Sequence, residues 1–234
     1  MEKFTESSKH DIDYIITENV TSWDTKTTKT IVKSLSFLAE EIQEEIPFYD
    51  SIISDDISGR LPTLFFRKII NKKKLEQKQE PVKTYFITPK RGRFKEINEN
   101  IDKFISDREM RKTLLVTEHI DSGYSLKPIV TSLKKNNIDF DIVSISRNSF
   151  ILFNNLDKEI KEIGDKLKFY SKGSDGLLFH IKKLGAVEKD KKDRINIHPN
   201  SKILSNQERK AVNQARKDIS FIAEIVYKNL QEKR

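Results

Sequence analysis

The chain has 234 residues, and its 44 Lys and Arg residues against 36 Asp and Glu residues give a formal net charge of +8. It contains no cysteine, which excludes disulfides, thiolate metal sites and cysteine nucleophiles, so any chemistry has to use carboxylates, hydroxyls, lysines and arginines. No apolar run approaches the roughly 20 residues that span a bilayer, and the first residues lack an apolar signal core, so we expect a cytoplasmic protein. The positive charge favours anionic partners such as polyphosphate metabolites or nucleic acid, but interleaved acids and bases are also typical of a solvated surface.

The amino-terminal part, residues 1–28, is polar and mixed, and it predicts an arm anchored by a few apolar residues such as Val20 and Trp23. From Lys29, apolar residues recur with helical spacing, which predicts a helix that covers one sheet face and ends at Pro47. The residues of this stripe are Ile31, Leu35, Leu38, Ile42 and Ile46.

Strands and helices then alternate, and residues 29–150 are predicted to form an α/β core. Short apolar runs predict strands at residues 51–53, 84–88, 113–117 and 141–145. Helical patterns lie between them, the first over residues 62–71 with Pro62 in its first turn. The run at 113–117 has a continuous apolar centre, as expected when both faces of a strand are covered. This alternation predicts an open, mainly parallel twisted sheet flanked by helices.

Residues 151–234 form an appended region in this prediction. Residues 156–167 have a helical pattern, and residues 170–176 are rich in turn formers. A long amphipathic helix is predicted over residues 206–230, with Ser205 as its N-cap and Glu208 completing a capping box. Its broad apolar face is expected to dock on the sheet domain, because strict heptads are not sustained.

The loop after the third predicted strand has the strongest chemical character. Acids, small hydroxyls and a glycine stand there immediately before a helix, at the strand end where parallel sheets bind ligands. We expect the amides of residues 121–125 and the hydroxyls of Ser122 and Ser125 to hold a 5-phosphate, with Gly123 permitting close backbone approach. Glu118 would face the ribose hydroxyls, and His119 is expected to make a packing contact or a local hydrogen bond.

This loop resembles the phosphoribosyl-diphosphate (PRPP) signature of the type I phosphoribosyltransferase family. That signature is an apolar strand, two acids, two spacers, Ala or Asp, Thr, Gly, any residue, Ser or Thr, and Leu. Thr117 stands at its first acidic position, Glu118 at the second and Asp121 at the Ala-or-Asp position. The resemblance implies that Glu118 and Asp121 are catalytic, since purine-specific members carry an acid at the latter position that acts on the base nitrogen. The residues matching its phosphate loop are Ser122, Gly123, Tyr124 and Ser125.

The two preceding loops occur in the order that this family has. The loop after the first strand resembles the family's pyrophosphate-binding loop, and residues 89–93 after the second strand correspond to its mobile hood loop. The residues implied for pyrophosphate are Asp56, Ser58, Gly59 and Arg60, and those implied for the hood are Lys90, Arg91 and Arg93. The resemblance covers residues 51–146.

The resemblance implies a glycosyltransferase of the pentosyltransferase type, which moves phosphoribose from PRPP to a nitrogenous base in nucleotide metabolism. Magnesium is expected with the pyrophosphate, although its protein ligands are not identified. Because Thr117 replaces an acid, a non-catalytic module that senses PRPP or a nucleotide and contacts nucleic acid or a protein stays open. A hydrolase or phosphotransferase using Asp55 and Asp56 as metal ligands is a third alternative. The sequence does not identify the base, and it leaves homo-oligomer formation open.

Overall fold

The computed structural model describes residues 16, 18–54, 59–87, 94–120, 126–147, 166–172 and 206–232. Its strands form one sheet in the order β2-β1-β3-β4-β5, and each neighbouring pair is parallel. The predicted α/β class with an open parallel sheet is therefore confirmed. The strands are β1 (Ser51–Ser54), β2 (Lys83–Phe86), β3 (Lys112–Ile120), β4 (Asp139–Arg147) and β5 (Leu167–Lys172).

Helices cover both faces of this sheet. One hydrophobic cluster joins α1, α2 and α5 to one face, and a second cluster joins α3 and α4 to the other. Side chains alternate between the clusters along β3, because Leu114 and Val116 belong to the first and Leu115 to the second. The helices are α1 (Thr25–Glu41), α2 (Arg60–Glu76), α3 (Phe94–Ser106), α4 (Lys127–Lys135) and α5 (Asn206–Glu232).

The first helix begins earlier and ends earlier than its apolar stripe predicted. Asp24 caps α1, since its Oδ1 accepts the Thr27 N–H at 2.9 Å. The predicted end at Pro47 is wrong, because α1 ends at Glu41 and Pro47 lies in a 3₁₀ turn. Between the end of α1 and the 3₁₀ turn the chain continues in hydrogen-bonded turns, and the Ile46 N–H donates to the Ile42 carbonyl at 3.1 Å. Buried residues therefore keep helical spacing beyond the last residue of the helix.

Two strands extend into segments that were predicted as loops or helix. β3 runs on through Glu118 to Ile120, and His119 and Ile120 pair with Ser146 and Arg147 of β4. Residues 167–172 were assigned to the end of a helix and to a turn, but they form the edge strand β5. In both cases β4 supplies the pairing partner, so the strand is fixed by a contact distant in sequence.

The helix α5 begins at Asn206 as predicted, and its N-cap candidate Ser205 lies outside the described residues. Its apolar face packs against α2, which confirms the prediction that it docks on the α/β domain. Glu224 of α5 binds Lys68 and Lys72 of α2 at the edge of this contact. The helix α2 thus lies between the sheet and α5.

The segment before α1 is held against α5. The Asp218 carboxylate accepts the backbone N–H groups of Thr21 and Ser22 at 3.0 and 2.8 Å. Val20 and Trp23 are buried in the same cluster as the apolar face of α5. Segments on both sides of residues 29–150 therefore contribute to the packed core, as β5 does to the sheet.

Candidate functional site

The order of the strands marks one position where the chain reverses direction across the sheet. From β1 the chain adds β2 on one side, and then β3, β4 and β5 on the other. Doubly wound sheets of this order bind ligands at the carboxyl ends of the two strands that flank the reversal, here β1 and β3. Ser54 and Val116 are register partners in these two strands. The predicted pyrophosphate loop follows β1 and the predicted 5-phosphate loop follows β3, so both begin at this crevice.

Most of the predicted loop residues lie outside the described residues, and their roles stay predictions. Described are Gly59 and Arg60 after β1, and Glu118 in β3. Those outside are Asp55, Asp56, Ser58, Lys90, Arg91, Arg93, Asp121, Ser122, Gly123, Tyr124 and Ser125.

Glu118 is a strand residue whose side chain is fully buried, with an exposed fraction of 0%. It stands two positions after Val116, and strand alternation places it on the face covered by α1, α2 and α5. Its carbonyl oxygen accepts the Ser144 hydroxyl at 3.4 Å, which ties β3 to β4. A carboxylate at this depth can meet a ligand only as part of the floor of the crevice.

The two residues beside Glu118 face the opposite side of the sheet. Thr117 is buried, and its hydroxyl donates to the His119 carbonyl at 3.4 Å. The His119 Nδ1 lies 2.8 Å from the Ser146 hydroxyl across the β3–β4 pair, which confirms the expected local hydrogen bond. The first acidic position of the signature therefore holds a neutral side chain that points away from Glu118.

Arg60 brings a positive charge to the carboxyl edge of β1 and β2. It is the first residue of α2, directly after Gly59, and its Cζ lies 5.3 Å from the centroid of the Phe86 ring. Burial lowers the pKa of the Arg60 guanidinium from its ordinary value, but the group stays cationic at neutral pH. Phe86 is the register partner of Ser54 at the end of β2. The sequence interpretation named Arg60 and missed Phe86, whose only signal was an aromatic residue at a predicted strand end.

Two hydroxyls on the α2 face were also missed. Ser54 ends β1 and Thr63 lies in the first turn of α2, and both side chains are buried. Neither hydroxyl has a hydrogen-bond partner within the described part of the chain. Buried hydroxyls usually have partners, so the α2 side of the crevice is a polar region inside an otherwise apolar layer.

Comparisons with known proteins yield similar solved structures but no family. No protein-family model matches the sequence, and no curated protein matches it. An orotate phosphoribosyltransferase from Aeropyrum pernix is similar with 10% identity and a TM-score of 0.39, over 63% of this chain and 72% of that chain. The Helicobacter pylori xanthine-guanine-hypoxanthine phosphoribosyltransferase is similar with 13% identity and a TM-score of 0.39, over 63% of this chain and 84% of that chain. Likeness at this level does not assign the chain to a family, and the site residues have to carry the functional inference.

The described residues do not form a metal site of their own. Across the described ranges there is no group of three or more His, Asp or Glu side chains that could hold a metal ion. The magnesium expectation therefore rests on the charge of the pyrophosphate ligand. In the same ranges, no helix combines the length and the apolar character needed to cross a membrane.

Proposed function

We propose that this chain is a phosphoribosyltransferase-like protein that binds PRPP or a nucleotide 5-phosphate and transfers phosphoribose to or from a nitrogenous base. The observation that carries the proposal is the position of the two predicted anion loops, which follow β1 and β3, the neighbouring strands at the reversal of the sheet. PRPP has a phosphate at one end and a pyrophosphate at the other, so it suits two adjacent anion-binding loops.

Each part of the ligand has a candidate partner in this arrangement. The amides of residues 121–125, immediately before α4, would hold the 5-phosphate. Gly59 and Arg60 at the start of α2 would hold the pyrophosphate, with the guanidinium as a bidentate donor. Glu118 would contact the ribose hydroxyls from the floor of the crevice.

The proposed reaction exchanges one bond at ribose carbon 1 for another. The bond from this carbon to the pyrophosphate oxygen breaks, and a bond to a nitrogen of the base forms. Asp121 would take the proton that the base nitrogen loses, and it would return that proton in the reverse direction. Magnesium is proposed to accompany the pyrophosphate, because this leaving group carries more charge than one guanidinium neutralises.

The first test is binding followed by turnover. Calorimetric titration with PRPP and Mg²⁺ should show saturable binding, and incubation with a panel of bases should release pyrophosphate with at least one of them. S125A should weaken PRPP binding, whereas S106A should not, because Ser106 ends α3 and its hydroxyl donates to the Lys103 carbonyl. Absence of PRPP binding would defeat the proposal.

A sensing module without turnover is the second candidate, and Thr117 favours it. This buried residue supplies a hydroxyl where the signature has a carboxylate. Saturable PRPP or nucleotide binding without pyrophosphate release from any base would support sensing. A salt-dependent gel shift with DNA or RNA would add nucleic acid as the regulated partner.

A further inference from the structure

We propose that Phe86 is a positioning residue that holds the Arg60 guanidinium at the end of β2, so that this side of the crevice selects pyrophosphate over a single phosphate. The inference rests on the proposed function, since it takes Arg60 to be a pyrophosphate ligand. It adds Phe86, a residue outside the loops, to the pyrophosphate side of the crevice.

The backbone fixes the place of the Phe86 ring. Phe86 is the last residue of β2 and pairs in register with Ser54, and the following Ile87 N–H donates to the Ser54 carbonyl at 2.8 Å. Tyr85, one residue earlier, packs against the cluster of α3 and α4. Strand alternation therefore places Phe86 on the opposite face, which α2 covers.

The guanidinium lies against this ring at the start of α2. The distance from Arg60 Cζ to the ring centroid is 5.3 Å, within the range of a cation–π contact. A ring meets a guanidinium through its π face, whereas anions are bound by the N–H donors at the guanidinium edge, so the two contacts are compatible. Partial burial of Arg60 lowers the local dielectric constant and so strengthens its attraction for an anion.

Pyrophosphate fits this arrangement better than phosphate does. The amino terminus of α2 offers the backbone N–H groups of Arg60 and Leu61, since Pro62 has none and that of Thr63 donates to the Gly59 carbonyl at 2.8 Å. These amides and the Arg60 guanidinium are two anion-binding features of the same helix end. A diphosphate engages both at once with its two phosphoryl groups, whereas a single phosphate engages one. Without the ring, Arg60 loses one of the contacts that orient its guanidinium, and this double engagement weakens.

The neighbouring residue offers a matched control. The Tyr85 ring centroid lies 5.3 Å from Arg108 Cζ, the same separation as in the Phe86–Arg60 pair, but on the opposite face of the sheet. Y85L therefore removes an equivalent contact from the same strand without touching the crevice.

The experiment measures dissociation constants for inorganic pyrophosphate and for ribose 5-phosphate, with all variants checked by thermal melting. F86L should raise the Kd for pyrophosphate by about 2-fold to 30-fold, the span expected for loss of a cation–π contact. F86Y, which keeps the ring face, and Y85L should stay near the wild type. The Kd for ribose 5-phosphate should not change in any of these variants, and F86L should add nothing in an R60M background.

Several outcomes would overturn the inference. These are a wild-type protein that does not bind pyrophosphate, a folded F86L that binds it normally, an equal loss of ribose 5-phosphate binding, or additive effects of F86L and R60M. If F86L does not fold, the Arg60 side-chain Nε–H resonance of the wild type decides: it must shift when pyrophosphate is added, and its Overhauser contact with the Phe86 ring must persist in the complex. Coupled Phe86 and Arg60 effects on pyrophosphate without any PRPP binding would instead defeat the proposed function and leave this inference standing.

Discussion

Replacing Lys112 with Met should destabilise the fold at neutral pH and much less in acid. Lys112 is the first residue of β3, so it lies at the amino-terminal end of the parallel strands, opposite the crevice, and its side chain is 17% exposed. Its Nζ lies 2.5 Å from a Glu45 oxygen, 3.3 Å from Asp139 and 3.4 Å from Asp141. The Tyr49 hydroxyl also donates to Asp141, at 2.8 Å. The K112M variant removes one cation from three carboxylates.

The size of the effect follows from the exposure of the partners. Glu45 and Asp139 are 46% and 51% exposed, so water screens each of their pairs to under about 1 kcal/mol. Asp141 is 17% exposed, and a half-desolvated carboxylate that loses this cation costs about 1–2 kcal/mol. We expect a total loss of about 2–3 kcal/mol, which lowers the Tm of a chain of this size by about 4–12 °C.

The pH dependence follows from two opposite shifts. Burial raises the pKa of Asp139, but hydrogen bonds from Lys166 and Lys112 outweigh it and leave the pKa below its usual value. That contribution to stability is present above the unfolded pKa of about 4 and is lost as the pH falls through the folded pKa. Burial lowers the pKa of Lys112, but its contacts with Glu45, Asp141 and Asp139 outweigh this and raise it. Lys112 itself therefore stays charged at acid and neutral pH, and its side of the interaction is lost only as the pH rises through its folded pKa, above the unfolded value of about 10. The loss in acid comes from its carboxylate partners.

Urea denaturation at about pH 7 and about pH 3 would measure the difference. K135M is the control, because Lys135 is 68% exposed in its pair with Asp102 and should contribute under about 0.5 kcal/mol. An equal loss of stability in K112M at both pH values would refute the electrostatic explanation. Ligand affinity should not change, since Lys112 lies at the far edge of the sheet.

Three further predictions concern the site and the packing of α5. E118Q should weaken ribose 5-phosphate binding by at least about tenfold and leave inorganic phosphate binding unchanged, because a charged acceptor for the ribose hydroxyls is lost; calorimetry measures both, and equal losses would count against the assignment. G123V should abolish PRPP binding by blocking the backbone approach, while the melting temperature stays close to that of the wild type. D218A should lower the free energy of unfolding by about 2 kcal/mol and speed amide hydrogen exchange at Thr21 and Ser22, whose N–H groups lose their acceptor. Unchanged exchange would show that Asp218 does not hold this segment against α5.

The central strands could be predicted because their signal is local. All four residues of β1 and most of β3 are buried, and each strand has a short apolar centre in the sequence, residues 52–53 in β1 and 114–116 in β3. The segment of β3 after Val116 has no such signal, since Thr117, Glu118 and His119 are polar. Those residues become strand because β4 extends beside them to Arg147, and no pattern within the segment encodes that length.

The edge strand β5 was missed for a related reason. It pairs only with β4 among the described strands, and its alternating Lys168 and Tyr170 give it one polar, half-exposed side. The segment has only six residues, and turn-forming residues follow it directly. Its position beside Ser144 is set by the sheet and not by its own composition.

The candidate site could likewise be predicted from the sequence only in part. The loop chemistry could be predicted because glycine, acids and hydroxyls stand next to one another in sequence. Phe86, Ser54 and Thr63 could not, since their significance depends on β2 lying beside β1 and on α2 lying across both. A residue such as Phe86, which contacts the helix residue Arg60 from a strand, has no spacing rule that would reveal it.

The hydrogen bond from the Thr21 N–H to the Asp218 carboxylate joins residues 197 positions apart. During synthesis the sheet and the first four helices emerge before α5, so the outer side of α2 and the segment around Trp23 have to wait for their cover. Contacts of such long sequence separation form slowly, and an uncovered apolar helix face favours association in the meantime. A nascent chain interrupted before α5 would therefore be the form of this protein that most needs a chaperone.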